Sequence, residues 1–402
     1  MFINNIDNDD KWKEFLNYKI NNDFVTKKEK KFINDFISNK KYKKITKSIK
    51  DNTYSFSIPS KHILSKGQTS KKRVVYSFTK EEMIVLKYIT YLLYEYDYLF
   101  EDNLYSFRKN KSVKNAIYNI TKIKNINKMY GYKVDIKNYF NSINSTILLG
   151  NLKNDIKDNA LFDLISSIIT NQYVISNNIK LIESKGAMAG IPISSFLANY
   201  YIKDIDKYFK KQKLVYLRYA DDIIIFTNTK EEIIKYSKIL TKLLTDYQLT
   251  INKDKEYFFN PNNSWEFLGF SFNNNSVDLS SNTLYKIKAK IRRSSRSTRR
   301  WMLKKDKSYE DALKMMIKKY NKKFYGNDSN ELSWKYWFFP AITTSKSLKI
   351  IDRYLQDNLR YVVTGKHNKK NYKIVPYYKL KELGYKSLVH EYYSFFNMKS
   401  NV

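Results

Sequence analysis

Leu214-Val215-Tyr216-Leu217-Arg218-Tyr219-Ala220-Asp221-Asp222-Ile223-Ile224-Ile225-Phe226 decides how this chain is read. Apolar, β-branched and aromatic residues flank a short polar break, the pattern of two strands joined by a tight turn. The break carries two adjacent aspartates. Two carboxylates at the tip of a buried hairpin repel each other in a medium of low dielectric. A bound cation removes that cost, and hard divalent cations take oxygen ligands. An isolated Asp-Asp pair is explained equally well as an ordinary turn. Its surroundings have to decide between the two.

Working outward, Tyr132-Lys133-Val134-Asp135-Ile136-Lys137-Asn138-Tyr139-Phe140 reads as a short strand ending at Asp135, then a polar-aromatic turn. Alone, Asp135 is also explained as a strand-end cap. Residues 147–180 carry Leu148, Leu149, Leu152, Leu161, Phe162, Leu164, Ile165 and Ile168 at helical spacing. Lys185-Gly186-Ala187-Met188-Ala189-Gly190-Ile191-Pro192-Ile193-Ser194-Ser195-Phe196-Leu197-Ala198-Asn199 is a Gly-Pro turn running into a helix with small residues on one face. Beyond the aspartate hairpin, residues 231–247 form an amphipathic helix. Leu249-Thr250-Ile251-Asn252-Lys253-Asp254-Lys255 and Trp265-Glu266-Phe267-Leu268-Gly269-Phe270 come after it.

Ahead of these lie Ser57-Ile58-Pro59-Ser60-Lys61 and Ser70-Lys71-Lys72-Arg73-Val74-Val75-Tyr76-Ser77, two strands joined by a basic loop containing Gly67. A helix with acids in its first turn is expected from Lys80, and Leu104-Tyr105-Ser106-Phe107-Arg108 leads into another at Val113. Taken in order, these stretches resemble the motifs of bacterial reverse transcriptases, above all the defence-associated (antiphage) ones. The resemblance covers residues 55–300 well and the remainder loosely.

It implies an α+β right-hand polymerase with an antiparallel palm sheet and a helical thumb and C-terminal region. Residues 1–50 would be a helical N-terminal extension and 51–130 the fingers. The palm would be 131–275, with finger helices in 147–184, and 276–402 the thumb and C-terminal region. Asp135 and Asp221 would bridge two Mg²⁺ ions roughly 3.5–4 Å apart, with Mn²⁺ able to substitute and Asp222 as a helper. Arg73, then Lys61, would take the triphosphate, and Arg108 and Tyr219 would lie near the nucleic acid. Phe140 would be the steric gate that selects deoxynucleotides, though core packing also explains it. Gly190 and Pro192 would shape the nucleotide loop, in which Ala189 departs from the Gln that many relatives carry. Lys255 would protonate the leaving pyrophosphate, with surface charge an equal account. Phe267, Leu268 and Gly269 would grip the primer.

The balance of charge fits such a reading. Lys and Arg number 74 against 39 acids, a formal charge of +35. AT-rich coding inflates Lys, but it does not explain why acids fail to rise with it, and so large an excess points to a polyanion. Half of the arginines cluster at Arg292, Arg293, Arg296, Arg299 and Arg300 in a run without acids. Arg292, Arg296, Arg299 and Arg300 fall near one helix face, suited to a duplex backbone. A solvated face or contact with another copy of the chain is the alternative.

The absence of cysteine excludes disulfides and thiolate zinc sites. Three histidines leave no His-rich metal site. No apolar run reaches membrane-spanning length, and the first residues lack a signal-peptide pattern, so a cytoplasmic protein is expected. The expected partners are an RNA template belonging to a structured non-coding RNA, the DNA product and dNTPs. A retron-type or template-independent polymerase is the rival within the class, and an inactive RNA-binding scaffold the rival outside it.

Overall fold

The computed structural model describes residues 2–22, 25–65, 72–274, 276–326 and 333–400. Gly67, Ser70 and Lys71 of the expected basic loop lie outside them. The chain divides into two compact units, one reaching Pro261 and the other beginning at Asn262, with residues 23–26 grouped with the second. The mixture of helices and sheets, antiparallel but for one parallel pairing of Ser60 with Ile175, is the α+β class expected.

The first unit opens with helices α1 (Phe2–Asn5), α2 (Asp9–Ile20), α3 (Lys27–Ser38) and α4 (Tyr42–Lys50). They share a core with the next segment of the chain. Trp12 of α2 is fully buried, stacked at 4.3 Å on Tyr42 and 3.8 Å on Tyr88. Truncating such a ring to alanine costs about 3–5 kcal/mol. Strands β1 (Ser60–Ser65) and β2 (Lys72–Ser77) pair antiparallel, with Lys61 opposite Tyr76 and Leu64 opposite Arg73. Helix α5 (Lys80–Leu92) starts at a capping box in which Thr79 and Glu82 satisfy each other's backbone N–H groups. Glu82 also accepts from the Ser57 backbone N–H at 2.6 Å, which ties the hairpin's approach to the helix start.

Helix α6 (Val113–Thr121) is next, then β3 (Tyr130–Asp135), α7 (Tyr139–Ser142), α8 (Ser145–Asp155) and α9 (Asn159–Thr170). Helix does not continue to residue 180 as the periodicity suggests. β4 (Tyr173–Ser176) and β5 (Ile179–Ile182) form a hairpin. Its turn residues Asn177 and Asn178 have φ of 51° and 64°, the left-handed pair that asparagine tolerates in a two-residue hairpin loop. The hairpin joins β1 and β2 in a sheet of order β2-β1-β4-β5.

Helices α10 (Ser194–Tyr201) and α11 (Lys203–Lys211) lead to β6 (Val215–Tyr219) and β7 (Asp222–Thr227), then α12 (Lys230–Asp246) and β8 (Tyr257–Phe259). The second sheet has the order β6-β7-β3-β8, antiparallel throughout. α12 packs against β3 and β7. Ile223, Ile224, Ile225 and Phe226 are all buried, so β7 is covered on both faces.

In the second unit β9 (Trp265–Phe267), β10 (Phe270–Asn273) and β11 (Ser276–Leu279) form an antiparallel meander, with Trp265 stacked on Phe272 at 3.8 Å. Seven helices complete the described residues: α13 (Ser281–Lys304), α14 (Tyr309–Tyr325), α15 (Trp334–Trp337), α16 (Lys346–Thr364), α17 (Asn371–Ile374), α18 (Tyr377–Glu382) and α19 (Leu388–Ser400). α16 packs against α13, α14 and α19.

Candidate active site

Strand register brings the three aspartates together. β3 pairs with β7 so that Asp135 lies directly opposite Asp222. Asp221 sits in the β6–β7 turn, and its carbonyl accepts from the Ile136 backbone N–H at 3.0 Å. One carboxylate oxygen from each of Asp135, Asp221 and Asp222 lies within 4.8 Å of the others. Burial raises the Asp221 carboxyl above the usual range, and the charge of Asp135 adds to the rise. Asp222 is pushed up to about 6, by burial first and Asp221 second. Three acids converging in a part-buried, mutually repelling set fit hard divalent cations. Lys255 is the local counter-charge, its Nζ 2.6 Å from Asp135 Oδ2. Burial works most strongly against the Lys255 ammonium, but the hydrogen bond to Asp135 and the charges of Asp135, Asp222 and Asp221 together outweigh it, so the group's pKa lies above the ordinary lysine value.

A buried polar frame holds the turn. Ala220 adopts φ 56°, and its N–H donates to Ser106 Oγ at 2.8 Å. Ser106 Oγ in turn donates to Asn199 Oδ1 at 3.0 Å, and Asn199 Nδ2 donates to the Ser106 carbonyl at 2.7 Å. Arg218, fully buried, donates through Nε to Asp206 Oδ1 at 2.7 Å and through Nη2 to the Asn199 carbonyl at 3.0 Å. Asp206 also accepts from Tyr216 OH at 2.8 Å. Asn252 donates its backbone N–H to the Asp135 carbonyl at 2.7 Å. Reading the sequence for chemistry passes over Ser106, Asn199, Asp206 and Asn252. A lone Arg inside an apolar strand was the available signal, because a buried guanidinium demands an acid.

Residues 58–272, more than half of the chain, match the family described as reverse transcriptase (RNA-dependent DNA polymerase). The chain belongs to the reverse transcriptase family. Among curated proteins it is similar to the Retron Ec83 reverse transcriptase of Escherichia coli, 26% identical over 159 residues, 37% of this chain and 49% of that protein. The chain therefore spans about half the length of that relative. Among solved structures it is similar to apo telomerase from Candida tropicalis truncated from the C-terminal domain: TM-score 0.45, 17% identity, 56% of this chain and 55% of that one. It is also similar to telomerase from Candida albicans in complex with a TWJ fragment of telomeric RNA: TM-score 0.45, 14% identity, 86% and 67%.

The other expected residues divide into groups. Arg73 is exposed, and its charge is felt at Asp221. Lys61 is placed differently. Strand alternation sets it on the hairpin face opposite Arg73, where it pairs with Glu183 at 2.6 Å beside Tyr76 OH, which donates to the same carboxylate at 2.9 Å. Phe140 is half-buried, edge-on to Phe107 at 6.0 Å.

The loop before α10 lies against two stretches of backbone. A Cβ on Gly186 would stand 2.5 Å from the Phe140 carbonyl, and one on Gly190 2.8 Å from that of Tyr76. The Tyr76 N–H donates to the Ala189 carbonyl at 2.8 Å. The room left by Gly190 is thus taken by strand β2. Pro192 comes next at the surface of the loop, half-buried.

Arg108 has a structural occupation. Its guanidinium grips both Asp97 oxygens, at 2.8 and 2.7 Å, and the Glu101 carbonyl at 2.7 Å. Tyr219 is part-buried beside the turn.

In the second unit, Leu268 (φ 50°) and Gly269 (φ 88°) form the β9–β10 turn, and Phe267 is buried beneath it. The Gly269 carbonyl accepts from Thr283 Oγ1 at 2.9 Å, joining the turn to α13. Of the arginines expected on one face of α13, Arg292, Arg296 and Arg300 are exposed. Arg299 is not one of that set. It turns in and donates to the Val362 and Val363 carbonyls at 2.9 and 2.8 Å, capping the end of α16. Arg293 is exposed in its stead. No helix among the described residues is long and apolar enough to cross a membrane.

Proposed function

We propose that this protein is an RNA-directed DNA polymerase, which adds deoxynucleotides to a DNA strand on an RNA template. Its finer setting is bacterial antiphage defence with an associated structured non-coding RNA. The convergence of Asp135, Asp221 and Asp222 carries the reading. Structure alone rarely needs three convergent acids in so basic a chain, and they match the roles that the family's motifs imply.

Asp135 and Asp221 are the residues that would hold two Mg²⁺ ions, with Asp222 assisting. Bound there, the ions supply Lewis acidity at the attacking hydroxyl and offset charge on the triphosphate. The protein's own share is positioning and fixed charge. Ser106 and the Arg218–Asp206 pair hold the carboxylates in register. Arg73 faces the same site as the candidate for the triphosphate. Lys255 neutralises Asp135 and stands within reach to give a proton to the leaving group. Phe140 fills the sugar edge. Residues 51–130 act as fingers, 131–275 as palm and 276–402 as thumb and C-terminal region, where Arg292, Arg293, Arg296 and Arg300 lie along the duplex backbone.

Primer extension with purified protein on an RNA template tests the activity. Metal-dependent DNA synthesis is expected, and its absence with RNA binding intact would favour the scaffold reading. The match to a retron reverse transcriptase favours a second reading, a retron-type enzyme copying part of its own companion RNA. Sequencing DNA recovered from cells expressing the protein separates the two, because it identifies the template and the priming end.

A further inference from the structure

A cavity of about 180 Å³ opens in the first unit, away from the three aspartates, between α2, α5 and Pro192. Tyr18, Tyr91 and Tyr94 supply its aromatic wall. The Tyr18 ring lies 5.3 Å from that of Tyr91 and 6.3 Å from that of Tyr94. Its charge is positive. Lys19 and Lys87 line the cavity, and Lys109 Nζ stands 6.0 and 5.8 Å from the Tyr18 and Tyr91 ring centres. Glu29 pairs with Lys87. Glu14 and Asp97 are engaged by Lys11 and Arg108, and Glu95, whose charge also reaches Tyr91, is exposed.

Lys19 lies over the Phe15 and Tyr18 rings at 5.5 and 5.4 Å, with no carboxylate in ion-pair range among the described residues. Burial, then the charge of Lys87, holds its pKa below the ordinary lysine value, with the charge of Glu29 acting the other way more weakly. A part-buried ammonium without a direct ion-pair partner is costly. An anion attached to a flat ring would satisfy both lysine and tyrosines, and a nucleotide is that ligand. Aromatic platforms with a basic rim hold single strands without regard to sequence.

We propose that this cavity binds one nucleotide of single-stranded RNA, with the base on Tyr18, Tyr91 and Tyr94 and its phosphates at Lys19 and Lys109. Pro192 belongs to the loop that bears on Phe140, so the strand held here is template about to be copied. That last identification rests on the polymerase reading; the binding itself does not.

The test uses the full chain without dNTPs or metal. An eight-nucleotide oligouridine carrying one 5-iodouridine is irradiated with the protein, and crosslinked peptides are mapped. Crosslinks at Tyr18, Tyr91 or Tyr94 are expected. Tyr18→Leu should weaken octamer binding about tenfold while Tyr18→Phe, which keeps the ring, binds as wild type. The double variant Lys19→Gln, Lys109→Gln should flatten the log–log salt dependence by about 1.4, two phosphates at the single-strand value. Excess UMP should not displace the octamer. Crosslinks confined to other regions, or wild-type affinity in Tyr18→Leu, would overturn the proposal. So would UMP competing as well as unlabelled octamer, which marks a site for a free nucleotide. Octamer binding with no primer extension would count against the polymerase and leave the RNA site standing.

Discussion

Replacing Arg218 by methionine should unfold the first unit's core far more than its single position suggests. Arg218 and Asp206 are both fully buried. The substitution removes the donors to Asp206 Oδ1 and to the Asn199 carbonyl, and leaves the Asp206 carboxylate facing only Tyr216 OH. Breaking a buried pair from one side costs about 3–5 kcal/mol, because the remaining charge is stranded. For a unit of this size each kcal/mol moves the melting temperature by roughly 2–4 °C. Thermal denaturation should therefore fall by roughly 6–20 °C. Removing the stranded charge as well, in Arg218→Met with Asp206→Leu, should recover much of the loss, since apolar replacement of both partners is often close to neutral. The double variant should still be slow in nucleotide addition, because Asn199 and the Ala220 turn keep no guanidinium to brace them. Calorimetry and single-nucleotide incorporation on the two variants check the argument. If Arg218→Met melts with the wild type, or the double variant melts below the single one, the buried pair does not hold the turn.

Asp221→Ala should abolish metal-dependent DNA synthesis, and Asp222→Ala should reduce it less, with RNA affinity near wild type in both; incorporation assays beside filter binding check this. Phe140→Ala should raise the ratio of rNTP to dNTP incorporation by opening space at the sugar edge, and an unchanged ratio would remove Phe140 as the gate. Glutamine at Arg292, Arg293, Arg296 and Arg300 together should flatten the salt dependence of duplex binding by roughly two to four log–log units and shorten products. Arg299→Gln should act on stability instead, by about 1–3 kcal/mol for two carbonyls left without their donor; a salt titration beside a melting curve separates the two effects.

The aspartate hairpin was legible because its parts agree: apolar strands, a turn residue and paired acids all point to one structure. Asp135 was legible as a strand end, and the register then made it a neighbour of Asp222. The β4–β5 hairpin was lost because Leu161 to Ile168 set a helical period, and the short Tyr173–Ser176 strand was absorbed into it. Its Asn177-Asn178 turn was the signal passed over. Lys61 and Arg73 looked equivalent as basic residues on one hairpin, but alternation puts them on opposite faces, and which face meets the aspartates is a tertiary fact. Arg108 and Arg299 were read as charges for a ligand. Their acceptors, Asp97 and the carbonyls at the end of α16, belong to chain segments that composition cannot place beside them. Ser106 and Asn199 carry no charge at all, so nothing local marks them as supports of the site.

The two glycines of the loop before α10 have a consequence for how this protein can change. Through Gly186 the loop lies on the backbone that carries Phe140, and through Gly190 on the strand that carries Arg73. One short segment therefore spans the backbone carrying Phe140, the proposed sugar gate, and the strand carrying Arg73, the proposed contact for the triphosphate. A side chain added at Gly186 meets the Phe140 and Asn141 backbone, and one at Gly190 meets the Tyr76 backbone, main chain that cannot rotate away. On the proposed roles, sugar selectivity and triphosphate affinity are joined through this one loop, and variants that shift the loop as a whole should change both.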